Sequence, residues 1–358
     1  MKDQLRIGVI GASGYTGGEL LRLLSLHPQV TIAQVVASSK SEGLSVSALL
    51  PNLTKTIDVQ LSPLDIPTIA QDVDLVFLAL PHTQSLAPVA EFLSHKKLVI
   101  DLSADYRLKD PQVYEHWYQT AHPYPDVLKD AVYGLPELHR AAIRKSQLVA
   151  VPGCYPTVAI LQLAPFIAEH LIEPHSIIID AKSGVSGAGR APSQGFHFPE
   201  ANEAIHAYKI ATHRHLPEIE QGLNHLLSSS EKTASPPPIT VMFTPHLIPI
   251  NRGILSTAYG KIRSDIKPSD VKDIYHRFYQ DEPFIRVFSQ AEAVNPRNLR
   301  GANFCDLSCT VDPRTGHIIS SGAIDNLVKG AAGQAIQCMN LMVGFPETLG
   351  LTAPGLFP

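Results

Sequence analysis

Residues 6–20 read RIGVIGASGYTGGEL. An apolar run ends at Gly11, glycines recur at Gly14 and Gly17, and leucines at helical spacing follow. The pattern predicts a strand over 6–11 and a helix over 17–28 that stops at Pro28. Glycines at such a turn let a pyrophosphate reach backbone N–H groups at the helix N-terminus, where side chains would intrude. The spacing departs from G-x-G-x-x-G, but the strand before it and the helix after it supply the context the motif needs. Gly11, Gly14 and Gly17 are therefore read as a dinucleotide cradle. A tight turn with close helix–sheet packing is the plainer reading of the same residues.

The pattern continues outward. Apolar runs at 30–38, 73–81 and 97–103 read as strands, and 83–96 reads as a helix. The strands are apolar nearly throughout, as expected when helices cover both faces. The fold class is thus α/β, a Rossmann-like, doubly wound parallel sheet. The second strand ends Val36-Ala37-Ser38-Ser39-Lys40, with no acid to bind a ribose 2′-hydroxyl. Ser38, Ser39 and Lys40 suit a 2′-phosphate, which favours NADP(H) over NAD. Lys40 as a solvated loop lysine is the bland alternative.

After residue 150 the strands lengthen and alternate, in SIIIDAKSGVSGAG, PPPITVMFTPHLIP, ILSTAYGKIRS and FCDLSCTVDPRTGHIISSGA. Helices are expected at 216–229, 268–280 and about 325–342, the last carrying Gly330, Ala331, Ala332 and Gly333, small enough for close packing. That composition predicts an α+β second domain with a mixed or antiparallel sheet. SSEKTASPPP at 229–238 reads as a surface loop. Two domains are the natural expectation for 358 residues.

Bulk composition excludes several classes. With 29 Lys and Arg against 33 Asp and Glu, the net charge of −4 and the lack of a basic block argue against nucleic acid. Apolar runs have strand length and fall short of a membrane span. The glycine pattern begins almost at once, leaving no room for a targeting peptide, so a cytoplasmic location is expected. Four cysteines make no disulfide framework. The pair Cys305 and Cys309 lacks a second pair, so no metal is expected there.

One cysteine is differently placed. VPGCYPT at 151–157 puts Cys154 at a strand–helix turn, with Pro156 suited to the first helical turn. A helix N-terminus lowers a thiol's pKa and favours the thiolate. A nucleophilic cysteine beside a nicotinamide domain implies acyl transfer to sulfur and hydride exchange between a thioester and an aldehyde. HRHLPE at 213–218 offers His213, His215 and Glu218 as acid, base and orienting group. The two histidines would also fit a metal pair, but no third ligand stands at a convincing spacing. Arg107, Arg190, Arg214 and Arg252 are anion-binding candidates; Arg107 stands out because it follows a strand end of the first domain. The Gly-rich stretch at 183–189 suits close approach to a nicotinamide.

Taken together, GASGYTGGEL (11–20), DLSADYRL (101–108), VPGCYPT (151–157), KSGVSGAGR (182–190), HRHLPEI (213–219) and DNLVKGAAGQA (325–335) resemble the N-acetyl-gamma-glutamyl-phosphate reductases, in that family's order and over nearly the whole chain. The resemblance implies NADPH-dependent reduction of N-acetylglutamyl 5-phosphate to the semialdehyde, in arginine biosynthesis. It also implies the fold of the aspartate-semialdehyde dehydrogenase superfamily. An NADP-binding domain (1–152) would be completed by the C-terminal helix (325–358), with a catalytic and oligomerisation domain between (153–324). A homo-oligomer, dimer or tetramer, and a small acyl-phosphate substrate follow. By position, Cys154 matches the nucleophile and one of His213 and His215, with His215 favoured, matches the acid/base. Arg107 would hold the leaving phosphate, and Arg190 and Arg214 would assist with substrate. Ser13, Gly14, Tyr15 and Thr16 would face the cofactor phosphates; Ser183, Gly184 and Asn326 would lie near the nicotinamide. Val158 and Gln162 depart from the family's small residues on the helix behind the cysteine. Two readings compete: a reductase of the one-methylene-longer N-acyl-aminoadipyl phosphate, and a non-catalytic NADP-sensing module.

Overall fold

Seven short strands form one parallel sheet. They are β1 (Leu5–Ile10), β2 (Val30–Val36), β3 (Leu61–Ser62), β4 (Leu75–Leu78), β5 (Leu98–Asp101), β6 (Val132–Tyr133) and β7 (Leu148–Ala150), in the order β3-β2-β1-β4-β5-β7-β6. Every pairing is parallel. The four residues of β4, LVFL, are all buried, because helices lie on both faces. From β1 the chain builds outward to β2 and β3, then returns to place β4 on the other side of β1. That reversal leaves a crevice at the carboxyl ends of β1 and β4, where doubly wound sheets bind ligands.

These are the coordinates of a computed structural model, which describes residues 4–38, 41–228, 237–263 and 267–357. Ser39 and Lys40, and most of the 229–238 loop, lie outside the described residues. The chain divides into two compact units. One runs to Gly153 and regains Ala331–Ala353; the other is Cys154–Gly330 with the residues from Pro354 onward.

In the first unit the helix after the glycines runs Tyr15–Leu24, earlier than the expected 17–28. It closes before Pro28 because the N–H groups of Leu26 and His27 fall back to the carbonyls of Leu23 and Leu24, both at 3.1 Å. Leu20 and Leu21 are completely buried on its inner face, each stabilising the unit by roughly 1.5–3 kcal/mol. The helix expected at 83–96 is Leu86–Ser94. Its entry is capped from outside: Asp105 accepts the N–H groups of Thr83 (2.7 Å) and Ser85 (3.0 Å).

The second unit is built on a mixed sheet of β8 (Ile177–Gly184), β9 (His206–Ala207), β10 (Val241–Ile248), β11 (Ile254–Lys261), β12 (Ile285–Val287), β13 (Cys305–Asp312) and β14 (His317–Ile324), ordered β12-β13-β14-β11-β8-β10-β9. Burial alternates along β8, β10 and β11, the sign of a sheet with one covered face. The Cys154–Ala168 helix packs on the covered face and is buried nearly all round. Pro165 lies inside it and lacks the N–H that Leu161's carbonyl needs. Tyr279 repairs the gap by donating its hydroxyl to that carbonyl.

The last helix is not continuous from 325. A single π-helical turn, Val328–Ala332, precedes the helix Gly333–Val343. Among the described residues no helix is long and apolar enough to cross a membrane.

Candidate active site

The glycine loop lies at the crevice that the strand order creates. Gly11 and Ala12 donate to the Val36 carbonyl at the end of β2, both at 2.9 Å, and Ala79 donates to Ile10 at 2.8 Å. Gly11 has φ +90°, and a Cβ there would run into the Ala79 carbonyl. Gly17 is buried against the Gly11 backbone, so it permits close helix–turn packing. Gly14 is different. A Cβ on it would meet only the Gly11 oxygen at 3.7 Å, so internal packing does not demand glycine there. Gly14 is also the N-cap, and no side chain caps the helix. The N–H groups of Tyr15, Thr16 and Gly17 thus begin a helix whose first turn has no intrahelical acceptors. This arrangement fits a pyrophosphate. Tyr15 and Ser38 are exposed, and Ser13 and Thr16 are half-buried beside them in sequence.

Arg107 belongs to the same unit and is buried. Its Nε donates to Val151 O at 2.7 Å and its Nη2 to Leu102 O at 2.9 Å. These bonds fix the guanidinium at the carboxyl ends of β5 and β7. Asp101 nearby is fully buried, and desolvation, reinforced by the charge of Asp105, pushes its carboxyl up to about 6.

In the second unit Cys154 is the first helical residue, half-buried and in no disulfide. Pro156 falls in the first turn, where its missing N–H leaves nothing unpaired. The next residue organises the surroundings. The Tyr155 ring lies 5.6 Å from His213, 5.9 Å from His215 and 5.4 Å from Phe243, centroid to centroid. Its hydroxyl donates to His246 O at 3.1 Å and receives the Tyr208 hydroxyl at 3.3 Å. Ser183 is a further hydrogen-bond neighbour of that hydroxyl, and the Cys154 charge is felt by both tyrosines. Cys154, Ser183, His213 and His215 are therefore gathered around one aromatic ring. Neither Tyr155 nor Tyr208 is singled out by the sequence reading. Position next to the cysteine was the only available signal for Tyr155.

The two histidines differ. His213 is buried in a box of Tyr155, Tyr208, Phe243 and His215 rings. Desolvation, with Lys209 and Arg214 adding repulsion, lowers its pKa to about 4. Its Nδ1 accepts the His215 backbone N–H at 3.1 Å, which leaves the proton on Nε2. His215 is half-buried, immediately before the Leu216–Ser228 helix. Glu218 is buried in that helix's first turn, whereas Arg190 and Arg214 are exposed.

His213 carries a pH signature. Between about 4 and the ordinary 6.5 the unfolded chain binds a proton that the folded chain refuses. Stability therefore rises with pH across this window, is fully present above 6.5 and is lost as pH falls toward 4. A full shift of this size corresponds to at most about 3 kcal/mol. Asp101 has the opposite sign in its own window, so the wild type must be compared with a variant. His213→Phe is expected to lose less denaturation midpoint than wild type between pH 7 and pH 4.5; parallel losses would remove His213 as the source.

Ser183, Gly184 and Asn326 meet at a knot of turns. Gly184 donates to Gly253 O at 2.9 Å, Gly253 donates to Asn326 Oδ1 at 2.7 Å, and Asn326 Nδ2 donates to Ser186 Oγ at 3.0 Å. Arg252, a candidate anion ligand by sequence, instead pairs with buried Asp325 at 3.5 Å. Val158 and Gln162 are both fully buried, and the space for them comes from Gly322 on β14. A Cβ at Gly322 would stand 2.7 Å from both side chains. The larger helix residues are thus matched by a missing side chain on the facing strand. Cys305 is buried and Cys309 half-buried, and among the described residues no three metal-type ligands cluster.

Comparison with known proteins decides the family. Residues 6–146 match the semialdehyde dehydrogenase NAD binding domain, and residues 154–326 match the semialdehyde dehydrogenase dimerisation domain. The N-acetyl-gamma-glutamyl-phosphate reductase of Geobacter sp. (strain M21) is 48% identical over 355 residues, 99% of this chain and 100% of that protein. That of Pelotomaculum thermopropionicum is 45% identical over 354 residues, 99% of each chain. The chain belongs to the N-acetyl-gamma-glutamyl-phosphate reductases. As a member of the N-acetyl-gamma-glutamyl-phosphate reductase family it is an oxidoreductase of arginine biosynthesis that uses a nicotinamide dinucleotide. Solved structures share the fold at low identity. Aspartate semialdehyde dehydrogenase II of Vibrio cholerae superposes with TM-score 0.72 at 18% identity, covering 95% of this chain and 99% of that one. The Candida albicans aspartate semialdehyde dehydrogenase, solved with NADP, gives 0.71 at 16%, covering 95% and 98%.

Proposed function

We propose that this reductase converts N-acetylglutamyl 5-phosphate to N-acetylglutamate 5-semialdehyde and phosphate through a thioester on Cys154, with NADPH as reductant. The observation that carries the reading is Cys154 at a helix N-terminus, followed by a tyrosine whose ring meets a histidine pair, one member of which is held neutral. Membership of the family supports the substrate class.

The thiolate of Cys154, favoured by the helix dipole, attacks the acyl carbon. The carbon–oxygen bond to phosphate breaks and phosphate departs. His215, half-buried with access to solvent, gives the departing oxygen its proton and regains one from water. His213 cannot share this work near neutral pH, since its imidazole stays unprotonated; it fixes the His215 backbone instead. Arg107, its guanidinium fixed by two carbonyls, supplies the positive charge that holds the phosphate, with Arg190 and Arg214 supporting the substrate's anionic groups. Glu218 orients His215. Backbone N–H groups of the first helical turn stabilise the oxyanion. Bound NADPH supplies the hydride that reduces the thioester carbonyl. The resulting thiohemiacetal alkoxide collapses, its carbon–sulfur bond breaks, and Cys154 returns as thiolate.

The preference for the 2′-phosphate rests on the acid-free end of β2, with Ser38, Ser39 and Lys40. Ser183, Gly184 and Asn326 are assigned to the nicotinamide, and Ser13, Tyr15 and Thr16 to the phosphates with the three glycines. The enzyme works as a homo-oligomer. The matched dimerisation domain supports this, as does an open row of β-sheet side chains, Ile319, Tyr259, Ile178 and Met242, in register across four strands. Ile178 and Met242 are exposed, and a second copy would cover them.

The test runs in the aldehyde-oxidising direction with phosphate. N-acetylglutamate semialdehyde with NADP is expected to exceed N-acetylaminoadipate semialdehyde, and NADP to exceed NAD, by at least about tenfold in kcat/KM. Faster turnover of the longer aldehyde would reassign the substrate, and equal use of NAD would remove the 2′-phosphate reading.

A further inference from the structure

Asp325 is completely buried at the end of β14, and every oxygen it has is engaged. Its Oδ1 accepts the Leu327 N–H at 2.8 Å. Its Oδ2 accepts the Gly301 N–H at 2.7 Å and faces Arg252 Nη1 at 3.5 Å. Its carbonyl accepts both Val328 N–H (3.2 Å) and Gly330 N–H (3.0 Å). The bond from Gly330 spans five residues and opens the π-helical turn. Such single turns are rare and concentrate at functional sites.

The turn delivers Gly330 against the cysteine. A Cβ on Gly330 would lie 2.8 Å from Cys154 Cβ and 3.3 Å from its Cα, with Ile324 Cδ1 at 3.2 Å. No side chain fits there without moving the nucleophile's own backbone or the turn. The glycine, the π turn and the buried carboxylate make one device whose output is the position of Cys154.

We propose that Asp325 is a positioning residue for the reaction, which seats Gly330 against Cys154 and so sets where the thiolate stands relative to the acyl carbon. The proposal rests on the reading of Cys154 as nucleophile. Asp325 and Gly330 do not touch substrate. They act through the cysteine, where a displacement near 1 Å costs roughly a hundredfold in rate.

The experiment compares Gly330→Ala with Gly322→Ala in the full-length enzyme. Both add one methyl group against the same buried helix, but Gly322 faces Val158 and Gln162 rather than Cys154. Gly330→Ala is expected to lower kcat at least about tenfold with KM and NADPH affinity near wild type. Its iodoacetamide alkylation at Cys154, followed against pH, is expected to depart from the wild-type profile. Gly322→Ala is expected to lower the melting midpoint while keeping the wild-type alkylation profile. Asp325→Asn adds no heavy atoms, leaves one side-chain acceptor for the two N–H groups of Leu327 and Gly301, removes the charge facing Arg252, and is expected to shift kcat and alkylation in the same direction as Gly330→Ala. It serves as the test where Gly330→Ala fails to fold. Wild-type kcat and alkylation in either Gly330→Ala or Asp325→Asn would overturn the proposal, as would an equal alkylation change in Gly322→Ala. Failure of the nucleophile reading would show separately, as turnover retained in Cys154→Ser.

Discussion

Cys154→Ser is expected to abolish turnover, by at least about four orders of magnitude, while NADPH binds with wild-type affinity. The substitution is nearly isosteric in a half-buried position, so the fold is expected to survive. A serine hydroxyl at a helix N-terminus stays protonated at neutral pH, whereas a thiol starts from a far lower pKa and is open to activation. The helix dipole is worth only about 0.3–1 kcal/mol at exposed sites. It therefore biases ionisation rather than forcing it, and in the proposed mechanism His215 would complete the activation. Fluorescence titration with NADPH and a single-turnover assay check both halves. Turnover within about a hundredfold of wild type would rule out covalent catalysis at this residue.

Gly11→Ala is expected to produce the second large effect. The residue has φ +90°, and its new Cβ would strike the Ala79 carbonyl. Strain of that backbone class costs about 1–3 kcal/mol, and the steric collision adds to it. The turn must move, so both the melting midpoint and NADPH affinity are expected to fall. Gly14→Ala separates the two causes. Its Cβ meets only the Gly11 oxygen at 3.7 Å, so stability should hold while NADPH affinity falls at least about tenfold. Unchanged NADPH affinity in Gly14→Ala would mean that the pyrophosphate does not approach that backbone.

The sequence makes the elements of this site legible where local chemistry repeats a rule. The glycines at a strand–helix turn, the apolar strands of the first unit and the alternation along β8, β10 and β11 each follow from one short-range physical constraint. The position of Cys154 at a helix start is legible for the same reason, since Pro156 marks it. Contacts between distant residues are not. The box around His213 joins positions from 155 to 243, and no period or spacing in the chain signals it. Arg252 looks like an anion ligand in PINRGI because its partner, Asp325, lies 73 residues away. Val158 and Gln162 look like misfits until Gly322 is seen opposite. The π turn defeated the expectation of a helix from 325 because small residues there permit a continuous helix equally well. Only the buried Asp325 carbonyl and carboxylate, drawing on Gly301, Leu327, Val328 and Gly330, decide for the break.

The most direct measurement is intact-mass and peptide mass spectrometry of the enzyme given N-acetylglutamate semialdehyde and NADP without phosphate. Hydride leaves the thiohemiacetal, no phosphate arrives to cleave the product, and an acyl group should remain on sulfur. A rapid acid-stable adduct of N-acetylglutamyl mass is expected on the Cys154 peptide, discharged by added phosphate and missing in Cys154→Ser. Stoichiometric NADPH formation with no adduct, or an adduct on any other residue, would contradict it.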